Sequence, residues 1–210
     1  QGYLVTGWYQ DNGTWYYLNP KSDGKLGKMM TGWQYINDIW YYFTENAGDK
    51  QGAMFCKRWA EVPYNGTVEW YYFDENGTMK TDWLTQDENK FYLYPIADGT
   101  RGRMLTGWQV RNGQMYYLDG SGAMITGWLS WNGRWCYMNE TQDQYYGCLV
   151  CGHWLNRDGK TYYLDGVGYM VEGWYQVDGN WYYFYPGQGN KAVNTTIDTF
   201  YVNQQGIWVH

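Results

Sequence analysis

An internal repeat runs through the sequence and constrains its fold more than any other feature. Each copy has a Gly-Trp pair, then Trp-Tyr-Tyr followed by Leu or Phe, then a polar turn and a Gly-x-Met segment. Eight copies cover nearly the whole chain, and their first tryptophans lie 20 to 26 residues apart. These tryptophans are Trp8, Trp33, Trp59, Trp83, Trp108, Trp128, Trp154 and Trp174. Because such a period is typical of stacked repeat proteins, we expect one supersecondary unit per copy.

Each copy is predicted to form a β-hairpin. Asn-Gly or Asp-Gly pairs separate the aromatic segments in several copies, and these pairs supply the positive φ angles of two-residue hairpin turns. The pairs are Asn12-Gly13, Asn112-Gly113, Asn132-Gly133, Asp158-Gly159 and Asp178-Gly179. No segment has a helical period, and a lone hairpin is only marginally stable in water. The hairpins must therefore stack on one another, which predicts an all-β solenoid of stacked β-hairpins.

Strand alternation predicts which side chains share a face of each hairpin. With a two-residue turn at 12–13, Trp8 lies opposite Tyr17, and Trp15 lies two residues before Tyr17 on the same face. Tyr16 then points to the other face. A repeated face of two indoles and a phenol is either the core of the stack or a binding surface.

Composition and charge exclude several classes of function. The formal net charge is −6, whereas binding to a nucleic acid backbone needs clustered Lys and Arg. No stretch approaches the roughly 18 consecutive apolar residues of a membrane span. The chain has 2 His, and its carboxylates follow the strands at turn positions rather than forming a paired acid site. We therefore expect a binding module without catalytic residues and without a cofactor.

The second copy shows the full pattern, with Gly32-Trp33, Trp40-Tyr41-Tyr42-Phe43 and Gly52-Ala53-Met54. This pattern, repeated over essentially the whole chain, resembles the choline-binding, or cell-wall-binding, repeat of Gram-positive surface proteins. The resemblance implies a left-handed solenoid of hairpins. It also implies that choline binds between consecutive hairpins, in a cage of two tryptophans from one copy and a tyrosine or tryptophan from the next, with a methionine nearby.

A cage of this kind suits a quaternary ammonium for a physical reason. Such a cation cannot donate a hydrogen bond, so a polar pocket gains little from it. Aromatic faces attract it by cation–π interaction, worth up to about 2 kcal/mol for a desolvated contact, and a polarizable methionine can close the remaining side. One cage should bind choline with roughly millimolar affinity, so retention on a polymer needs several cages together.

Carried over copy by copy, the resemblance assigns cages to the five copies that keep both tryptophans. The pairs are Trp8/Trp15, Trp33/Trp40, Trp59/Trp70, Trp128/Trp135 and Trp174/Trp181. The tyrosines expected from the following copies are Tyr42, Tyr72, Tyr92, Tyr163 and Tyr201. The methionine positions hold Met29, Met54, Met79 and Leu149, and the last pair has no aligned residue there.

Three copies depart from the pattern, because Lys90, Met115 and Thr161 replace the second tryptophan. Their cages are expected to be absent or altered, and Lys90 would repel a cation. The first tryptophans of these copies are expected to pack in the core. The third copy has a longer turn region than the others, which leaves its cage less defined.

The repeats are expected to occupy residues 1–193, with a C-terminal half-repeat cap at 194–210. Several copies carry polar insertions, at 19–28, 44–51, 94–103 and 139–146. The first residues match the tail of a copy, so an upstream domain is expected in a secreted protein at the cell surface. The expected partner is choline or phosphocholine on cell-wall teichoic acid. One alternative is a carbohydrate-binding module, because the related glucan-binding repeats of glucansucrases and clostridial toxins share the Gly-Trp and Tyr-Tyr elements. The other alternative is a structural spacer.

The four cysteines replace ordinary repeat residues, so unpaired, buried thiols are expected at Cys56, Cys136, Cys148 and Cys151. One disulfide among the last three is the alternative. The spacing from Cys148 to His153 is similar to that of zinc ligands, but no second matching cluster accompanies it, and no metal site is predicted.

Overall fold

The computed structural model describes residues 3–46, 50–64 and 66–209. All the regular structure in these ranges is β-strand, and these ranges contain no helix that could cross a bilayer. Residues 1–2 of the predicted array, residues 47–49 of the predicted insertion at 44–51, and residue 210 of the predicted cap lie outside the described residues.

Consecutive strands pair into antiparallel hairpins. In the first half of the chain these are β1 (Gly7–Asp11) with β2 (Thr14–Leu18), β3 (Gly32–Ile36) with β4 (Ile39–Phe43), β5 (Arg58–Tyr64) with β6 (Thr67–Phe73), and β7 (Asp82–Gln86) with β8 (Asn89–Leu93). In the second half they are β9 (Gly107–Arg111) with β10 (Gln114–Leu118), β11 (Gly127–Trp131) with β12 (Arg134–Met138), β13 (His153–Arg157) with β14 (Lys160–Leu164), and β15 (Gly173–Val177) with β16 (Asn180–Phe184). A three-stranded sheet follows, of β17 (Thr195–Ile197), β18 (Phe200–Val202) and β19 (Trp208–Val209).

The hairpin turns have the backbone geometry that the sequence predicts. Asn12 and Gly13 have φ angles of 46° and 80°, as a tight turn with two left-handed residues requires. Asp87 and Glu88, at 49° and 68°, adopt the same conformation without a glycine. The first hairpin therefore pairs Trp8 with Tyr17, which confirms the predicted register.

The third hairpin is longer than the others because two residues are added to each strand at the turn end. β5 and β6 have 7 residues each, where the other two-stranded hairpins have 5. The open end keeps the common register, with Trp59 opposite Tyr72. The insertion therefore leaves Trp59 and Trp70 in their repeat positions and extends the hairpin beyond them.

The chain divides into two compact units after Leu105. In the first unit, the face of a hairpin that carries its tryptophans packs against the opposite face of the next hairpin. Trp8 lies 4.9 Å from Tyr41 and 6.0 Å from Phe43, measured between ring centroids. In the second unit, Trp128 lies 5.0 Å from Tyr162 in the same manner. The predicted all-β fold of stacked hairpins is confirmed.

The core of each unit is a ladder built from the last residue of each Trp-Tyr-Tyr-(Leu/Phe) segment. These residues have no solvent exposure in most copies, and they are Phe43, Phe73, Leu93, Leu118, Met138, Leu164 and Phe184. A second set of contacts is formed between glycines and the methionine side chains of the preceding copy. Gly77 has φ 76°, and a Cβ placed there would lie 2.6 Å from Cε of Met54 in the preceding copy. Glycine is required at this position both for its backbone conformation and for the close approach of the methionine.

Candidate functional site

A cavity of about 220 Å³ lies between the second and third hairpins. Its lining includes Trp33, Trp40, Tyr71 and Met79. The indoles of Trp33 and Trp40 are nearly perpendicular, with centroids 6.1 Å apart, and the Tyr71 ring lies 4.8 Å from the Trp33 indole. Three aromatic rings and a thioether therefore surround one small space, which is the arrangement that attracts a cation without hydrogen-bond donors.

Strand register explains how the second and third hairpins bring these residues together. Trp33 pairs with Tyr42 across β3 and β4, and Trp40 lies two residues before Tyr42, so both indoles are on one face. Tyr71 comes from the face of the third hairpin that packs against them. The backbone N–H of Met79 donates to the carbonyl of Trp40 at 3.1 Å, which places the methionine at the edge of the cavity.

Tyr71 contributes an uncharged ring. Burial raises the pKa of its phenol to about 12, and the neighbouring Glu69 and Tyr64 act in the same direction, against an opposing effect of Arg103. The ring is therefore neutral at physiological pH. Trp33 is half-buried and also lies 5.8 Å from Phe73 in the core, so this indole serves packing and lines the cavity at once.

The same arrangement recurs in other copies that keep both tryptophans. Each has its second tryptophan partly exposed, by 37% to 44%, and all except the last receive an aromatic residue and a methionine from the next copy. In the first unit the further sets are Trp8, Trp15, Tyr41 and Met54, and Trp59, Trp70, Phe91 and Met104. In the second unit the set is Trp128, Trp135, Tyr162 and Met170.

The last cage is built from four aromatic side chains. Trp174, Trp181, Phe200 and Trp208 line a cavity of about 250 Å³. Phe200 lies 5.8 Å from Trp174, and Trp208 lies 5.6 Å from Phe200. Trp208 thus supplies a fourth aromatic ring to a cage that has no methionine in its lining.

Comparison with known proteins identifies the repeat. A family model described as the choline-binding repeat matches residues 5–59, 105–146 and 150–195, which is more than half of the chain. The chain belongs to the choline-binding repeat family. A shorter match to a cell wall binding repeat covers residues 69–79. No curated protein sequence gives a significant match.

Solved structures of choline-binding proteins share the fold. Choline binding protein F from Streptococcus pneumoniae, crystallised in the presence of a peptidoglycan analogue, is 35% identical, with 98% of this chain covered, 58% of that chain covered and a TM-score of 0.54. CbpF in complex with ipratropium is 33% identical over 98% of this chain and 60% of that chain, with a TM-score of 0.60. This chain therefore spans less than two thirds of those relatives. The choline-binding domain of CbpL from Streptococcus pneumoniae, at 24% identity, matches in fold over 98% of both chains with a TM-score of 0.63.

The tyrosines expected from the following repeats do not lie where the carry-over assigned them. Tyr42 packs on Trp33 of its own hairpin, at 5.2 Å, and the residue that reaches Trp8 is Tyr41. The reason is that the hairpins within each unit stack front to back, so the face with the tryptophans meets the opposite face of the next hairpin. Tyr72, Tyr92 and Tyr163 likewise contact Trp59, Trp83 and Trp154 of their own hairpins. The aromatic residues that contact the first tryptophan of the preceding hairpin are instead Tyr41, Tyr71, Phe91, Tyr162 and Phe200. Strand alternation is the sequence signal that could have identified them.

The methionines also differ from the assignment made by resemblance. Each cage that has a methionine receives it from the next repeat rather than from its own. The residue whose N–H donates to Trp15 is Met54, at 2.8 Å, whereas the carry-over assigned Met29 to that cage. Met79 accordingly reaches the Trp33/Trp40 cage. Leu149 donates its N–H to Met115 at 2.8 Å, in a copy without a second tryptophan. In these copies the tail of the repeat therefore packs against the preceding hairpin of the same unit.

In two copies of the second unit that lack the second tryptophan, another side chain of the protein contacts the first tryptophan. Lys191 takes the methionine position beside Thr161, and its ammonium lies 5.1 Å from the centroid of Trp154 and 5.5 Å from that of Tyr182. Burial lowers the pKa of Lys191. In the fifth copy, Trp108 lies 5.8 Å from Trp131 of the sixth copy.

The cysteines take no part in these cages. All four are free thiols; Cys136 and Cys148 are buried, as predicted, but Cys56 and Cys151 are exposed, so the expectation of burial is wrong for that pair. Burial raises the pKa of Cys136, which keeps its thiol protonated and unreactive. Within the described ranges, no group of three metal-ligating side chains comes together.

A larger and more polar cleft, of about 860 Å³, lies beside the insertion at 139–146. Tyr145 and Trp154 contribute aromatic side chains to it, and Asn156 and Arg157 contribute polar ones. Arg157 also forms an ion pair with Glu140 at 2.9 Å.

Proposed function

We propose that this chain is a non-catalytic cell-wall-binding module that holds choline of teichoic acid in aromatic cages between consecutive hairpins. The observation that carries the proposal is the cavity in which Trp33, Trp40, Tyr71 and Met79 converge. Membership of the choline-binding repeat family supports it. So does the similarity to choline binding protein F, which has a crystal structure in the presence of a peptidoglycan analogue.

Physical chemistry favours a methylated cation in this cavity. The rings of Trp33, Trp40 and Tyr71 are uncharged, and a trimethylammonium group can be held by their faces without a hydrogen bond. Cation–π attraction contributes about 0.5 to 2 kcal/mol per contact, so a single cage gives an affinity of roughly millimolar order. Several cages that bind one repetitive polymer raise the overall avidity by multivalency.

Choline titration tests the proposal. Tryptophan fluorescence is expected to change saturably with choline in the millimolar range. The neutral isostere 3,3-dimethyl-1-butanol should give a much weaker response, because it has the same shape but no charge. Ethanolamine, whose ammonium is strongly hydrated, should also bind weakly.

Two variants assign the response to the cage. Trp40→Ala is expected to lower the number of bound choline molecules by one, as measured by equilibrium dialysis. Trp131→Phe removes a tryptophan that lies against Trp108 in an altered copy, and it should leave the stoichiometry unchanged. Equal responses to choline and its neutral isostere would contradict a cation cage.

Attachment to the cell wall follows from the same proposal. Purified protein should be retained on cell walls that carry choline teichoic acid and be released by free choline at millimolar concentrations. We also propose that the module serves a longer secreted protein at the cell surface, with the repeats at 1–193 as the array and 194–210 as its cap. Retention that free choline does not reverse would contradict choline as the anchor.

A glycan is a second candidate ligand, favoured by the polar cleft beside 139–146. Exposed Tyr145 and Trp154 offer platforms for sugar rings, and Asn156 offers hydrogen bonds. Dextran and peptidoglycan fragments should perturb these residues if the cleft binds sugars. Tyr145→Ala should then abolish glycan binding and leave choline stoichiometry unchanged, and no response of the wild-type protein to either glycan would exclude this second function.

A further inference from the structure

The cage of Trp33 and Trp40 differs from the last cage because insertions of the first unit meet beside it. Tyr64 reaches the cavity from the lengthened third hairpin, and Arg101 reaches it from the loop at 94–103. The last cage, in contrast, is lined by aromatic side chains alone. The first of these cages therefore carries a positive charge at its wall.

Hydrogen bonds within the loop at 94–103 set the position of Arg101. The N–H of Gly102 donates to the carbonyl of Tyr94 at 2.7 Å, and the N–H of Tyr94 donates to the carbonyl of Arg103 at 2.9 Å. The Tyr94 hydroxyl also donates to a carboxylate oxygen of Asp98 at 3.0 Å. These contacts close the loop on both sides of Arg101.

A second cavity, of about 280 Å³, adjoins the cage. Trp40, Met79 and Arg101 line both cavities, so the two spaces share one wall. The second cavity is more polar, with Thr78 and Thr81 in its lining. An aromatic space and a polar space are thus adjacent, with Arg101 at their common wall.

Among the charges around the second cavity, Arg101 favours an anion. Arg101 forms no ion pair with any carboxylate in the described part of the chain, and Lys80 adds a second positive charge, although it lies 3.8 Å from Asp74. Asp38 also lines the cavity and opposes an anion, but its carboxylate accepts a hydrogen bond from the Tyr35 hydroxyl at 3.3 Å.

We propose that Arg101 makes the Trp33/Trp40 cage and the adjoining cavity one composite site that selects a choline phosphodiester over bare choline. The trimethylammonium group lies among Trp33, Trp40 and Tyr71, and the phosphate lies beside Arg101. This inference rests on the proposed choline binding and adds to it a residue, Arg101, that determines specificity. A guanidinium suits phosphate because its donors match two phosphate oxygens at once.

Selectivity against bare choline follows from the same charge. Arg101 attracts the phosphate of a choline phosphodiester and repels the ammonium of free choline. The cage should therefore bind glycerophosphocholine more tightly than choline. The last cage, which has no charged side chain in its lining, should show no such preference.

Fluorine NMR of protein labelled with 5-fluorotryptophan measures the two sites separately, with resonances assigned from Trp40→Phe and Trp181→Phe. At the Trp40 resonance, glycerophosphocholine is expected to bind about two- to fivefold more tightly than choline, as for a partly exposed ion pair. The preference should shrink at high salt. At the Trp181 resonance the ratio of the two dissociation constants should stay near one.

Arg101→Gln is the decisive variant, and Arg101→Lys should retain part of the preference. Arg101→Gln is expected to bring the ratio at Trp40 to one or below. Lys21→Gln removes the same charge from an exposed residue that lines neither cavity, and it should leave the ratio unchanged.

The outcomes separate this inference from the proposed function. Equal affinity for both ligands at Trp40, unchanged by Arg101→Gln, would overturn the composite site and leave choline binding intact. No shift at either resonance with choline would overturn the proposed function as well.

Two sources present the same chemistry, a wall polymer and a lipid headgroup. A soluble polysaccharide that carries phosphocholine and vesicles of phosphatidylcholine are therefore tested in parallel. An Arg101-dependent shift with one of them supports the site and names its source. The absence of a shift with both would contradict it.

Discussion

The ammonium of Lys191 lies 5.1 Å from the centroid of the Trp154 indole. Its backbone N–H donates to Thr161 as a methionine does in the intact copies, and its Nζ donates to the carbonyl of Gln205 at 2.7 Å. The seventh repeat thus holds the chain's own cation over its aromatic rings. This contact indicates that the stacked hairpins provide a cation position even where one tryptophan is missing.

Replacing Lys191 by Met and Thr161 by Trp together is expected to add one choline site per chain. The double variant removes the internal cation and restores the second indole. Equilibrium dialysis with choline measures the stoichiometry. Thr161→Trp alone is the matched control and should add no site, because the ammonium still lies over Trp154. An unchanged stoichiometry in the double variant would show that Lys191 does not block a cage.

Trp33→Ala and Trp40→Ala are expected to separate packing from binding. Both should abolish choline binding in their shared cage. Trp33 also contacts Phe73 in the core, so its removal should lower the free energy of unfolding by about 3 kcal/mol or more. Trp40 is 37% exposed, and its removal should cost about 1 kcal/mol. Denaturant unfolding checks the difference, and equal losses of stability would argue against it.

Gly77→Ala is expected to destabilise the protein more than Gly13→Ala. Both glycines have a left-handed backbone, with φ 76° and 80°, so both variants carry a backbone strain of about 1 kcal/mol. Only the Cβ at position 77 meets Met54, which should add about 1 to 3 kcal/mol. A double-mutant cycle with Met54→Ala measures the coupling between the two residues. A coupling energy near zero would exclude the clash.

Phe200→Ala and Tyr201→Ala test which aromatic residue completes the last cage. Phe200 lies 5.8 Å from Trp174, whereas Tyr201 donates its hydroxyl to Asn194 at 2.6 Å. Phe200→Ala should therefore weaken choline binding at the Trp181 fluorine resonance severalfold, and Tyr201→Ala should leave it nearly unchanged. The reverse order would favour the tyrosine that the family pattern assigns.

Alkaline pH is expected to destabilise the fold through buried tyrosines. Burial raises the pKa of Tyr71 and of Tyr137 to about 12, from 10.0. Between these values the folded chain retains phenolic protons that the unfolded chain has lost, so stability falls as the pH rises from 10 to 12. Absorbance at 295 nm follows the ionisation, and denaturation at pH 9 and 11 follows the stability. Tyr71→Phe should reduce the fall, and an identical fall in that variant would contradict the assignment.

The hairpins themselves could be predicted because their causes are local. Asn12-Gly13 provides two left-handed residues at the turn, and alternation along the strands then places Trp8, Trp15 and Tyr17 on one face. The lengthened third hairpin obeys the same rule, since its extra residues are added at the turn end and Trp59 still pairs with Tyr72.

The partners of each tryptophan pair could not be assigned by aligning repeats alone. An alignment places Tyr42 and Tyr41 side by side and leaves open which one faces the preceding hairpin. Front-to-back stacking decides for Tyr41, and it brings Met54 rather than Met29 to the first cage.

The sequence by itself determined the repeat, the hairpins and the tryptophan pairs, because turn geometry and strand alternation act within about 20 residues. Tertiary packing decided which residues of the next repeat close each cage. It also decided that Arg101 lines the Trp33/Trp40 cage and that Lys191 lies over Trp154. Those contacts depend on how loops and long side chains of different repeats meet in space, and no local rule of spacing encodes such meetings.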